Sequence, residues 1–193
     1  MKKVVVCGLS GSGKTTFAMT LSKITGIEVI HTDGAHYIDK STYRTASERE
    51  DYLRSKLAQE SWILDGCNAD KLSYLSNEID HIYYFELPDH IRLVNLIKRV
   101  WRNGGKVPDD LNNYVKKIYN LKFFYNMIFR SPRRQGKLKA EILEAPVSVH
   151  CVYINSVEKR KRALRVIQER FQTRLDACDD NRSVRIREMV GGG

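Results

Sequence analysis

The chain has 193 residues, of which 42% are hydrophobic, with a mean hydropathy of −0.44 and a formal charge of +10. That is enough chain to bury one core, and no apolar run approaches the roughly 20 residues a membrane helix needs. These properties exclude a membrane function and lead us to expect a cytoplasmic protein. Four cysteines, Cys7, Cys67, Cys151 and Cys178, form no CxxC pair and are expected to be free thiols in a reducing compartment. The apolar run in MKKVVVCGLSG is too short for a secretory signal. The charge is concentrated: residues 92 to 140 hold 13 Lys/Arg and two acids, a net of +11, which leaves −1 for the remainder. Such a field suits anionic ligands.

In chain order, β-branched residues from Lys2 to Val6, ended by Gly8, predict a buried strand. Phe17, Leu21 and Ile24 lie at helical spacing and predict a helix over Lys14–Ile24. A short strand follows at Ile27–Ile30, then a helix over Thr45–Gln59 with Tyr52, Leu53 and Leu57 on one face. Trp62–Leu64 reads as a strand closed by Asp65-Gly66, and His81–Leu87 as another. After Pro88 a helix runs to Arg102, broken by Asn103-Gly104-Gly105. Val147–Ile154 predicts a fifth strand, and Ser156–Leu175 a last helix, with Asn155-Ser156 as its cap region. The remaining residues, 176–193, are expected to form a charged, loose tail. Strands alternating with helices imply right-handed crossovers and a parallel sheet covered on both faces.

The sharpest signal is GLSGSGKTT, residues 8–16. Gly8, Gly13, Lys14 and Thr15 satisfy G-x-x-x-x-G-K-[ST] between a predicted strand and a predicted helix, the context that gives the motif meaning. A loop wrapped round a phosphate must point successive N–H groups inward, which small residues at Gly8, Ser10, Gly11, Ser12 and Gly13 permit. The helix N-terminus adds its dipole near Thr16, Lys14 reaches the phosphates, and the Thr15 hydroxyl is placed to ligate Mg²⁺. Two acids then stand where strands deliver ligand-binding groups, beyond their carboxyl ends. Asp33, in HTDG, suits either a water-bridged Mg²⁺ or proton acceptance from an acceptor hydroxyl. Asp65, in WILDG, suits support of Mg²⁺ and its waters. A turn-forming Asp before Gly is the lesser alternative at either residue. His31, His36 and His81 have no metal-ligand spacing. His36 and Tyr37 are placed to line an acceptor pocket, or simply to form a loop.

Together GLSGSGKTT, HTDGAHY (31–37), SWILDGCN (61–68) and DHIYYFELP (80–88) resemble the adenylate-kinase-like P-loop kinases. More narrowly they resemble the group labelled DNA topology modulation, or FlaR-type, kinases. The likeness covers residues 3 to 155. It departs from the group at Cys67-Asn68, where Asn-Tyr is favoured, and at DHIRLV, which lacks an early tryptophan. The resemblance implies a P-loop NTPase fold of three α/β/α layers, with a five-stranded parallel sheet in order 2-3-1-4-5. A kinase domain would span residues 1–175, with a helical lid over about 103–140. It implies phosphate-clamping roles for Arg99 and Arg102, charge stabilisation by Arg130, Arg133 and Arg134 from the lid, and a place near the nucleotide base for Asn155 and Ser156.

The resulting expectation is an ATP- and Mg²⁺-dependent phosphotransferase acting on a small-molecule acceptor, a nucleotide or nucleoside, as a monomer or homodimer. Two alternatives stay open. One is a nucleic-acid-end kinase or DNA-associated NTPase, drawn from Tyr114, Tyr119, Phe123, Phe124, Tyr125 and Phe129 interleaved with Lys116, Lys117 and Lys122. An amphipathic helix with an aromatic core face gives the same string and is the reading adopted. The other is a non-catalytic nucleotide-binding module. Lys159–Arg162 (KRKR) is read as a solvated face.

Overall fold

A computed structural model describes residues 1–39, 42–75, 77–102 and 131–190. At Arg99, Val100, Arg102, Ser131 and Pro132, and past Thr173 at every residue but Asp176, the description covers backbone only. Arg130, the Asn103-Gly104-Gly105 break, the aromatic run and most of the expected lid lie outside the described residues.

Five strands form one parallel sheet: β1 (Lys3–Gly8), β2 (Val29–His31), β3 (Trp62–Cys67), β4 (His81–Phe85) and β5 (His150–Ile154). Their order is β2-β3-β1-β4-β5, as expected. Strand β1 is central because its Val4, Val5, Val6 and Cys7 are buried on both faces. Alternation then divides the core. Val5, Cys7, Trp62, Leu64, Ile82 and Tyr84 face one layer, and Val4, Val6, Ile63, Tyr83 and Phe85 face the other.

Six α-helices are found among the described residues: α1 (Lys14–Thr25), α2 (Ala46–Leu57), α3 (Ala69–Leu75), α4 (Asp89–Arg102), α5 (Ser131–Leu143) and α6 (Val157–Val190). The first layer is completed by Leu53 of α2, Leu72 and Leu75 of α3 and Leu138 of α5. The second is completed by Phe17 and Leu21 of α1 and Ile167 of α6. The result is a three-layer α/β/α sandwich. Helix α1 stops at Gly26, whose left-handed φ of 73° lets its N–H close on the Ser22 carbonyl at 2.8 Å. Helix α2 starts at Thr45, which exchanges capping bonds with Glu48.

Several boundaries differ from the sequence reading: β4 ends at Phe85 rather than Leu87, β5 begins at His150 rather than Val147, and three further differences bear on the site or the tail. Strand β3 does not end in an Asp65-Gly66 turn but runs through both residues to Cys67. Gly66 takes φ 92°, and the β1 register slips there, with Val6 opposite Asp65 but Cys7 opposite Cys67. A glycine bulge thus replaces the turn. Strand β2 includes His31, which lies opposite Asp65. Helix α6 continues as helical backbone to Val190 rather than stopping at Leu175, through a run that holds neither Gly nor Pro. The short helix α3 had no sequence counterpart. No helix among the described residues is long and apolar enough to cross a membrane. Cys7 and Cys67 are buried free thiols and Cys151 is an exposed one. Burial holds the Cys7 thiol well above its ordinary ionisation range and pushes the Cys67 thiol to about 12.

Candidate active site

The loop from Gly8 to Gly13 joins β1 to α1 at the carboxyl edge of the sheet, where a nucleotide phosphate chain would be held. Gly8, Gly11 and Gly13 take φ values of 137°, 81° and 84°, a region side-chain-bearing residues rarely enter. Space forbids substitution as well. A Cβ on Gly8 would run into the Phe85 carbonyl, and one on Gly11 would lie 2.5 Å from the Arg92 carbonyl. Helix α4 therefore presses directly on the loop. Arg92 is 2% exposed, donates from Nε to the Ser10 carbonyl at 3.0 Å, and pairs with Asp89. Asn95 donates from Nδ2 to the Gly11 carbonyl at 2.9 Å. With two loop carbonyls tied outward to α4, loop N–H groups are left for a ligand. Ser12 Oγ, on a residue 1% exposed, is buried without a partner.

Asp65 lies on the sheet face shared with Ile63, against which α1 packs. It is 5% exposed. Its Oδ2 meets His31 Nδ1 at 3.0 Å, while its Oδ1 is buried with no partner. Such an oxygen costs about 1–3 kcal/mol unless a ligand satisfies it. Thr32 locks the two strand ends together, donating from its backbone N–H to the Asp65 carbonyl at 3.0 Å and from its hydroxyl to the Gly66 carbonyl at 2.6 Å. A Cβ on Gly66 would lie 2.7 Å from that hydroxyl. The bulge thus serves to aim Asp65.

Among the described residues no three His, Cys, Asp or Glu side chains form a metal cage. Mg²⁺ does not require one, since it keeps waters and takes one or two protein groups beside substrate phosphates. The orphaned Asp65 oxygen and the Thr15 hydroxyl at the start of α1 fit that habit. The glycine-lined, carbonyl-clamped loop fits a nucleotide's phosphate chain.

Beyond β2, Asp33 opens a single 3₁₀ turn, Gly34–His36, without capping it through its carboxylate. The surrounding side chains are mostly cationic or aromatic. Arg49 Nη1 lies 3.1 Å from His36 Nδ1. Tyr37 and Tyr43 stack with centroids 4.7 Å apart across an isolated bridge. The Arg44 guanidinium lies 4.1 Å above the Tyr52 ring and donates to the Ala35 and Tyr37 carbonyls. Lys71 of α3 is held below its ordinary range, first by burial and further by Arg49, with Asp33 acting in the opposite sense.

The structure thus brings Lys14, Thr15 and Thr16 to the head of α1, directly after Gly8, Ser10, Gly11, Ser12 and Gly13. Asp65 sits beside that loop on β3, and Asp33 follows β2. Asn155 is exposed between β5 and α6. Arg99 and Arg102 lie on the last turn of α4, with side chains outside the description. Arg133 and Arg134 are exposed near the start of α5, next to Gln135, which bonds to Glu86 beyond β4. Sequence reasoning missed Arg92, Asn95 and His31. Helical spacing on α4 offered a signal for the first two, since residues 92 and 95 share a face, but nothing in the sequence names the loop carbonyls they hold. His31 was judged only as a metal ligand, and its partner is 34 residues away.

No family model matches the chain, and no curated protein matches it. Solved structures do. A shikimate kinase from Bacteroides thetaiotaomicron aligns with a TM-score of 0.56 at 11% identity, covering 89% of this chain and 98% of its own. An uncharacterized protein from Eubacterium ventriosum aligns at 0.51 and 13% identity over 89% and 99%. A sugar kinase from Janibacter sp. aligns at 0.49 and 18% identity over 91% and 95%. At these identities the likeness is one of fold, and the first two alignments carry it: the five-stranded 2-3-1-4-5 sheet with its flanking helices is similar in fold to that shikimate kinase and to the Eubacterium protein.

Proposed function

We propose that the chain is an ATP- and Mg²⁺-dependent phosphotransferase whose acceptor is a small nucleotide. The observation that carries this reading is the clamped phosphate loop beside a buried, half-satisfied Asp65. The loop N–H groups and Lys14 hold the phosphate chain. Thr15 and Asp65 would hold the metal, which when bound would neutralise charge on the transferred phosphoryl group. His31, bonded to Asp65 Oδ2, fixes the carboxylate so that Oδ1 keeps its aim. Asp33 receives the proton of the attacking hydroxyl or orients that hydroxyl. The arginines Arg99, Arg130 and Arg134 stabilise charge in flight, and Arg102 and Asn155 contact the donor nucleotide.

Among possible acceptors, Arg49 and Lys71 beside Asp33 favour one that carries its own negative charge, a nucleotide over a nucleoside. The Tyr37–Tyr43 pair offers an aromatic surface for a base.

The test is ADP release from MgATP against nucleoside monophosphates, nucleosides and short 5′-hydroxyl oligonucleotides, with Lys14→Ala as blank. Stimulation by a monophosphate of at least about a hundredfold over the blank is the expected result. Stimulation by oligonucleotides alone would transfer the function to nucleic-acid ends. ATP binding with no stimulated turnover would leave a binding module and remove the catalytic assignments.

A further inference from the structure

The KRKR run at the start of α6 reads from sequence as a solvated face, and three of its four residues are: Lys159, Lys161 and Arg162 are exposed. Arg160 is not. It is half-buried, and a methyl group added at Gly13 would lie 2.9 Å from its Nη1. The guanidinium therefore rests against the residue that caps α1. Ser156 sets the first turn of α6 that carries it, accepting at Oγ from the Lys159 N–H at 3.1 Å and at its carbonyl from the Arg160 N–H at 3.2 Å. Packing of α6 on α1 through Ile167 and Phe17 keeps that turn in place.

The electrostatics of this spot are one-sided. Helix α1 begins there with its positive end, has no acidic residue in its first turn, and receives no side-chain capping bond at Gly13. Lys14 is the next residue. Among the described residues no carboxylate pairs with Arg160. A guanidinium and a helix N-terminus thus meet at Gly13, between Lys14 and the buried, partnerless Ser12 Oγ in sequence. Like charges gathered without a counter-charge repel one another, and an anion relieves them.

We propose that Arg160 is a binding residue for the phosphate chain of the donor nucleotide, contributed by α6 to the loop that α1 and β1 form. The proposal rests on the phosphate-loop reading above and extends it to a residue outside the motif. Gly13 is held to glycine by its φ of 84°, and the 2.9 Å approach shows how near the guanidinium lies to the loop. A guanidinium's planar fork matches two phosphate oxygens, which an ammonium cannot do.

The experiment is calorimetric titration of MgATP, and separately of inorganic tripolyphosphate, into the parent protein and the variants Arg160→Gln, Arg160→Lys, Arg162→Gln and Lys14→Ala. Circular dichroism melting checks that each is folded. Arg160→Gln is expected to weaken both ligands about tenfold or more, as loss of a charge-assisted contact would. Arg160→Lys is expected to recover part of that loss, and Arg162→Gln to bind as the parent does. Should Arg160→Gln fail to fold, Arg160→Lys carries the test, with a weakening of about threefold expected. Parental affinity for both ligands in a folded Arg160 variant, while Lys14→Ala has lost them, overturns the proposal and leaves the phosphate-loop reading standing. Parental affinity in Lys14→Ala overturns the loop reading and this proposal with it.

Discussion

Arg92 and Asn95 do the same job by different means, and the difference is measurable. Arg92 is buried, so Arg92→Ala leaves the Ser10 carbonyl without its donor and opens a void. We expect a loss of about 2–3 kcal/mol in urea unfolding. Asn95 is exposed, so Asn95→Ala should cost about 1 kcal/mol or less while still releasing the Gly11 carbonyl. Its signature is kinetic: a raised KM for ATP in a protein of nearly parental stability. Equal stability losses in the two variants would mean that burial is not what separates them. Residues of this kind mark the limit of reading at this scale. Lys14 and Thr15 are legible because their chemistry is local to a motif. Arg92, Asn95, His31 and Arg160 act on groups brought to them by folding, and neither spacing nor residue type announces the partner.

Whole elements were more legible, because hydrophobic period and terminal signals are local. The valines of β1 and the helices expected over Lys14–Ile24 and Thr45–Gln59 each appear in the structure where local physics puts them. The Asp65-Gly66 pair was misread because a glycine suits a bulge as well as a turn. Only the neighbouring strand, paired on both sides of the slip, decides between them. The edge of the sheet carries a prediction of its own. His81 of β4 and His150 of β5 are paired in register, with ring centroids 5.2 Å apart. The His81 pKa is lowered from 6.5, first by burial, then by His150, the amino terminus and Arg170, against an opposing pull from Asp80. A histidine with a depressed folded pKa contributes full stability above its unfolded value and loses it as pH falls through the folded one. The urea midpoint should therefore drop between about pH 7 and pH 5. His81→Gln should flatten that slope. An unchanged slope would assign the acid sensitivity to other groups.

At the scale of the molecule, strands alternating with helices were enough to foresee the layers, and the resemblance supplied the strand order that the structure carries. The group proposed to face the acceptor was harder to foresee, since Asp33, Arg49 and Lys71 come from three separate segments. If the loop holds a nucleotide, the whole fold should register it. MgATP at a hundred times its dissociation constant should stabilise the protein by about 2.7 kcal/mol. For a chain of this size that raises the melting temperature by roughly 5–10 °C. Lys14→Ala should abolish the rise, and a rise of equal size in that variant would place the nucleotide elsewhere.

The clamp of α4 on the phosphate loop also sets an order of events at birth. The loop emerges from a ribosome well before the donors that hold its carbonyls, which stand 82 and 84 residues later. Its neighbour Phe85, on β4, comes late as well. Until Asn95 has emerged, the motif is a flexible glycine-rich strip with nothing to hold its N–H groups inward. If the loop binds a nucleotide, that affinity is acquired during synthesis only once Asn95 has emerged, and a shorter nascent chain should not compete for ATP.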